Sequence, residues 1–150
     1  MMGEMWTCPE CGQRFLHENQ YHSCNDRTVE SFFEGKSNDV IELFRYFVEE
    51  YQKIGGFVLH PAKSRIAFAA KIRFGYIARV GKDYIDIALT FNKAYRDNFC
   101  FYRIGEVPGG KIFQHYIRLK HKDDVNDEVK KYMQMALRLG NKQSITEKYI

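Results

Sequence analysis

The sequence predicts an α+β fold. We expect a mainly antiparallel sheet of about five strands, flanked by an N-terminal and a C-terminal helix and preceded by a small zinc finger. Three observations lead there. Apolar residues recur at helical spacing over 40–54 and again over 125–137. Between those stretches the apolar period drops to two, and the runs are separated by links of hairpin length, which favours antiparallel pairing. Ahead of everything, CPECGQRFLHENQYHSC over 8–24 holds three of the four cysteines and two of the five histidines.

The finger comes first in the chain. Cys8 and Cys11 form a Cys-x-x-Cys pair, two thiolates able to grip one metal from a tight turn that Gly12 lets the backbone leave. The second pair comes from His17, His22 and Cys24. In an extended segment His22 and Cys24 point the same way, which makes Cys8, Cys11, His22 and Cys24 a closed Cys₃His set for structural zinc. His17 in place of His22 is the alternative. A redox Cys-x-x-Cys opens a helix after a strand, and no such context is present here. The start, MMGEMW, has no basic or apolar signal region, so a cytoplasmic chain with reduced thiols is expected. No run approaches the roughly 20 apolar residues of a membrane span.

A boundary near residue 26 separates this segment, 1–26, from an α+β domain over 27–150, with Asn25 to Thr28 as the link. The whole chain of 150 residues suits one ordinary domain and a small appendage. Thr28 to Glu34 reads as a short helix capped by Thr28 and stopped at Gly35. Ser37, Asn38 and Asp39 offer caps for the next helix, whose core stripe is Val40, Ile41, Phe44, Phe47, Val48, Tyr51 and Ile54. Gly55-Gly56 ends it.

Phe57 to His60 is a first strand stopped by Pro61. Ile66, Phe68, Ala70, Ile72, Phe74, Tyr76, Ala78 and Val80 then alternate with polar residues over a run too long for one strand. A hairpin near Ala69 to Ile72 is expected, and the alternation survives it only if the loop has an odd number of residues. Tyr84 to Phe91 is a further strand. Phe99 to Ile104 and Ile112 to Leu119 follow, joined by a Val-Pro-Gly-Gly turn. Asp123 or Asp124 caps a last helix with Val125, Val129, Tyr132, Met133, Ala136 and Leu137 inward and Gly140 at its end. The tail from Asn141 carries no pattern and is expected to be loose.

Gly105 to Lys111 has the spacing Gly-x4-Gly-Lys, but Ile112 replaces the magnesium-holding hydroxyl and a strand follows, so it reads as a turn. Cys100, inside an aromatic strand, reads as a buried inert thiol, and His60 as a packed strand-end residue. Charge is more informative. Residues 61–82 contain Lys63, Arg65, Lys71, Arg73, Arg79 and Lys82 and no acid, and 111–122 contain Lys111, Arg118, Lys120 and Lys122 without one. Arg65, Arg73 and Arg79 share parity opposite the apolar set, which predicts a basic stripe on the open sheet face with Tyr84 and Tyr116 nearby. Basic residues interleaved with aromatics suit nucleic-acid backbone and stacked bases, with Arg65, Lys71, Arg73, Arg79 and Arg118 as the candidate contacts. Solvating charge, partly neutralised by Asp86, is the plainer account.

CPECG…HSC, TVESFFEGK and HPAKSRIAF together resemble a bacterial family called domain of unknown function 5655, over nearly the whole chain. The resemblance implies ligands at Cys8, Cys11, His22 and Cys24, favouring His22 over His17, and implies no reaction. The expected role is therefore a non-catalytic zinc-binding protein that takes an anionic partner such as nucleic acid. The alternatives are an enzymatic or small-molecule pocket against the sheet, using His60, His115 or Tyr116, and a protein-interaction module with an aromatic surface.

Overall fold

The computed structural model describes residues 6–7, 14–15, 28–62 and 65–143. Cys8, Cys11, His17, His22 and Cys24, as well as Lys63 and the tail beyond Gln143, lie outside the described residues. Two short strands, β1 (Trp6–Thr7) and β2 (Arg14–Phe15), pair antiparallel with Trp6 opposite Phe15. In sequence they bracket the Cys-x-x-Cys stretch.

The domain that follows is α+β, as the order of patterns predicts. A 3₁₀ turn over Glu30–Phe33 takes the place of the expected first helix, and the Thr28 hydroxyl accepts from Ser31 N–H at 3.2 Å. Helix α1 (Asn38–Ile54) follows. Ser37 is its cap, its hydroxyl accepting from Val40 N–H at 3.3 Å. Then come β3 (Val58–Pro61), β4 (Ile66–Ala69), β5 (Arg73–Val80), β6 (Ile85–Phe91), β7 (Arg103–Glu106) and β8 (Phe113–Leu119). They form one antiparallel sheet of six strands in the order β3-β4-β5-β6-β8-β7, one strand more than expected. Helix α2 (Asp127–Gly140) closes the domain. No helix among the described residues is long and apolar enough to cross a membrane.

Both helices cover the same face of the sheet. Val40, Leu43, Phe44, Phe47 and Tyr51 of α1 and Val129, Tyr132, Met133, Ala136 and Leu137 of α2 are buried against Ile66, Phe68, Ile77, Ile87, Leu89, Phe91 and Ile117. Tyr51 is wholly buried, and its hydroxyl donates to the Met133 carbonyl at 2.6 Å, tying α1 to α2. Gly140 does not stop α2 by its own conformation. A Cβ there would lie 2.5 Å from Phe74 Cδ1, so glycine is what lets the helix end sit on that ring.

The predicted hairpin is present, with a turn of three residues, Ala70 to Ile72, between β4 and β5. The simple alternation nevertheless fails in β5. Phe68 pairs with Gly75 but Ala69 pairs with Arg73, which leaves Phe74 as an extra residue. Ile77 pairs with Ile87 but Arg79 pairs with Asp86, which leaves Ala78 extra. The first bulge flips the parity and the second restores it. Gly75 and Ile77 therefore face the helices, whereas Tyr76, expected inward, faces out.

Two further expectations need correction. Asn126, not Asp123 or Asp124, caps α2, its Oδ1 accepting from Val129 N–H at 2.9 Å. Asp124 instead closes the preceding 3₁₀ turn, where Oδ2 accepts from Lys120 N–H at 2.8 Å and His121 N–H at 2.9 Å. The strand predicted over Phe99 to Ile104 is Arg103–Glu106, because Tyr95 and Phe101 of the long connection turn inward to pack around His115. Residues 107–112 form the turn of the β7–β8 hairpin, as read from the glycines.

Candidate anion-binding groove

The helices leave the other sheet face open, and strand register decides what stands on it. One cross-strand row runs Ala67, Tyr76, Ala88, Tyr116 and Arg103 over β4, β5, β6, β8 and β7. A second row runs Arg79, Asp86 and Arg118 over β5, β6 and β8. Arg65 enters from the start of β4, and Tyr102 from the start of β7. Together with Ala78, Arg65, Tyr76, Arg79, Asp86, Tyr102, Arg103, Tyr116 and Arg118 line one groove of ≈ 540 Å³.

Small residues make its floor. Ala88, fully buried, sits between Tyr76 and Tyr116 and lets the two rings lean over it until their hydroxyls meet at 3.2 Å. Burial, with the Tyr116 hydroxyl adding to it, pushes the Tyr76 phenol up to about 12. At neutral pH Tyr76 therefore stays a hydroxyl donor.

Each wall is an arginine laid on a tyrosine. Arg65 Cζ lies 4.2 Å from the centre of the Tyr76 ring, and Arg103 Cζ 4.8 Å from that of Tyr116. Arg118 Cζ lies 4.2 Å from the Tyr84 ring and 5.0 Å from the Tyr102 ring. Arg79 reaches Tyr84 at 5.9 Å. Such stacking holds a guanidinium in place without using its N–H donors.

Asp86 is the one acid of the groove lining. It is buried, and Arg118 grips it with Nε to Oδ1 at 2.8 Å and Nη2 to Oδ2 at 3.0 Å. This fork-on-carboxylate pair raises the Arg118 pKa further. Burial and the neighbouring Asp86 also raise that of the Tyr102 phenol. Arg65, Arg79 and Arg103 have no carboxylate partner among the described residues. Four guanidiniums against one carboxylate leave the lining with three positive charges in excess.

Of the five arginines and lysines read from the sequence, the structure brings Arg65, Arg79 and Arg118 together. Arg73 stands at the other end of β5, where Nη2 meets His60 Nδ1, and it lines a separate small pocket of ≈ 190 Å³ with Phe74, Thr90 and Ile112. Lys71 is in the three-residue turn before it. Arg103 and Tyr102 escaped the sequence reading because they lie outside the acid-free runs. The signal available was the β7–β8 hairpin itself, whose register sets Arg103 opposite Tyr116.

The other candidates fall elsewhere. His115, named with His60 and Tyr116 for the alternative pocket reading, points into the core beneath the sheet. Its Nδ1–H donates to the Phe113 carbonyl at 3.1 Å, and its Nε2 accepts from Tyr95 N–H at 3.0 Å. Burial lowers its pKa to about 4, so it is neutral at physiological pH. His60 is buried beside Arg73. Cys100 is half-buried, and burial, with Glu128 beside it, pushes its thiol up to about 12, which makes it a poor nucleophile. Among the described residues no histidine lines the groove, and no three His, Cys, Asp or Glu side chains are placed to hold a metal.

No curated protein and no solved structure matches this chain. A family pattern does match over residues 29–140, which spans the described domain from the 3₁₀ turn to the last residue of α2. The chain thus belongs to the family described as Domain of unknown function (DUF5655).

Proposed function

We propose that this chain is a non-catalytic binding module whose α+β domain takes an anionic partner, nucleic acid, on its open sheet face, while a structural zinc in the N-terminal segment organises the finger. One observation carries the reading. Three guanidiniums without carboxylate partners among the described residues, Arg65, Arg79 and Arg103, are held on tyrosine rings around a single groove. The stacking holds these charges in place around one groove while leaving their N–H donors free for an anion. Zinc at Cys8, Cys11, His22 and Cys24 is supported by the donor set and by the β1–β2 ladder on either side of Cys8 and Cys11.

The test is fluorescence anisotropy with single-stranded and duplex oligonucleotides at two salt concentrations. Affinity should fall steeply with salt, since each neutralised phosphate releases condensed counterion. An Arg79→Ala, Arg103→Ala double variant should weaken binding and flatten the salt slope by roughly one unit per lost phosphate contact. If neither oligonucleotide binds at low salt, or if the double variant binds as wild type does, the charges are only a solvated surface.

A small-molecule reading draws support from the groove's size, since ≈ 540 Å³ lies in the range of about 300–1,000 Å³ usual for ligand sites. It keeps Tyr116 of the three residues first considered for it, because His115 and His60 lie outside the groove lining. A metabolite retained through purification, identified by mass spectrometry, favours this reading.

A further inference from the structure

We infer that the groove recognises a phosphomonoester, on a free nucleotide or at the end of a strand, and not the diester backbone running past it. The inference rests on the reading of the open face as an anion site, and it names the anion. Three features of the groove carry it.

The first is shape. Proteins that bind a running single strand track its backbone along a groove, covering roughly 4–16 nucleotides per OB fold in the best-described cases. Here the guanidiniums that have no carboxylate partner among the described residues converge on one open groove of ≈ 540 Å³, the size of a site for one compact ligand.

The second is the state of the rings. A running strand stacks successive bases on exposed aromatic faces. Tyr76, Tyr84, Tyr102 and Tyr116 each already carry a guanidinium over the ring. What they present to a ligand is the arginine plate and the phenol hydroxyl, both of which donate hydrogen bonds to oxyanions. In the Tyr76–Tyr116 pair one hydroxyl donates to the other, so one O–H remains for a ligand.

The third is charge. The lining carries three positive charges in excess, and its single carboxylate is masked by the fork of Arg118. A backbone diester brings one negative charge into such a volume. A phosphomonoester brings about −1.5 to −2 near pH 7 and offers three oxygens, enough to engage Arg65, Arg79 or Arg103 and the spare tyrosine hydroxyl together.

The experiment is competition against a single strand labelled at an internal position, read by anisotropy at low salt with the full-length protein. The competitors are the same strand with a 5′-phosphate, with a 3′-phosphate and with hydroxyls at both ends, together with adenosine monophosphate and adenosine. At least one phosphorylated strand should compete about tenfold better than the hydroxyl-ended one. Adenosine monophosphate competing while adenosine does not points to the free nucleotide, and competition confined to the strands points to a terminus; either result supports the inference. An Arg65→Gln, Arg103→Gln double variant should lose the preference. Equal competition by all three strands overturns the inference and leaves the anion site standing, as does a preference unchanged in the double variant. Absence of binding by the labelled strand together with no displacement or thermal shift by adenosine monophosphate removes both.

Discussion

His115 shows how much one residue's surroundings decide. Read along the strand it is a histidine beside Tyr116 and a candidate base. Folded, it is the polar centre of an aromatic box made by Phe91, Tyr95, Phe101 and neighbouring rings, with both ring nitrogens in use. Its Nε2 can accept from Tyr95 N–H only when the imidazole is neutral, and that bond pins the connection that ends in Tyr102 and Arg103. Burial lowers the pKa to about 4; Arg96 works the same way and the Phe113 carbonyl opposes it. The unfolded chain takes up its proton near 6.5, so between about pH 6.5 and 4 the unfolded state holds more protons and stability falls as the pH drops. Thermal or urea unfolding should lose about 1–2 kcal/mol between pH 6.5 and 5 from this residue alone. His115→Phe cannot titrate, so although less stable at pH 7 it should show a flatter decline over the same interval. A variant that declines as steeply as wild type would place the pH dependence in another group.

At the scale of elements, β5 marks where the sequence stops being legible. Alternation located the β4–β5 hairpin and required an odd loop, and the turn is three residues long. The helices were legible from their apolar stripes. Bulges are harder to read: Gly75 inside the strand pattern is the one local sign of the first, and no such residue marks the second at Ala78. The first bulge moved Tyr76 from the expected core set to the open sheet face, where it lines the groove. Gly75 makes this register testable. A Cβ on it would lie 2.6 Å from the Ala88 carbonyl oxygen, which is backbone in the middle of the sheet and cannot swing aside. Gly75→Ala should therefore cost about 1–3 kcal/mol despite the entropy it removes from the unfolded chain. Gly105→Ala is the control, because its nearest neighbour is the Tyr116 ring at 3.7 Å, an ordinary contact. Urea midpoints that move equally for the two variants would contradict the pairing of Gly75 with Leu89 and Phe68.

For the whole molecule the question is whether the chain has one core or two. The α+β domain has two helices on one sheet face, a continuous aromatic and aliphatic core, and a family match that begins at Val29, so we expect it to stand alone. The first 26 residues are too few to build a core of that kind, and a segment so short usually needs a metal or a disulfide for its fold. Zinc binding supplies on the order of 10 kcal/mol to finger peptides, which is folding energy for the site itself. The two parts should therefore respond differently to chelation. Elemental analysis should find one zinc per chain, and Cys24→Ala should lose it. Stripping the metal should leave the far-ultraviolet dichroism and cooperative unfolding of the α+β domain in place, and a chain starting at Asn25 should unfold at nearly the same temperature as the full protein. If that shortened chain is insoluble or its transition is lowered by many degrees, the finger packs into the domain core. The boundary near residue 26 would then be a feature of the sequence and not of the fold.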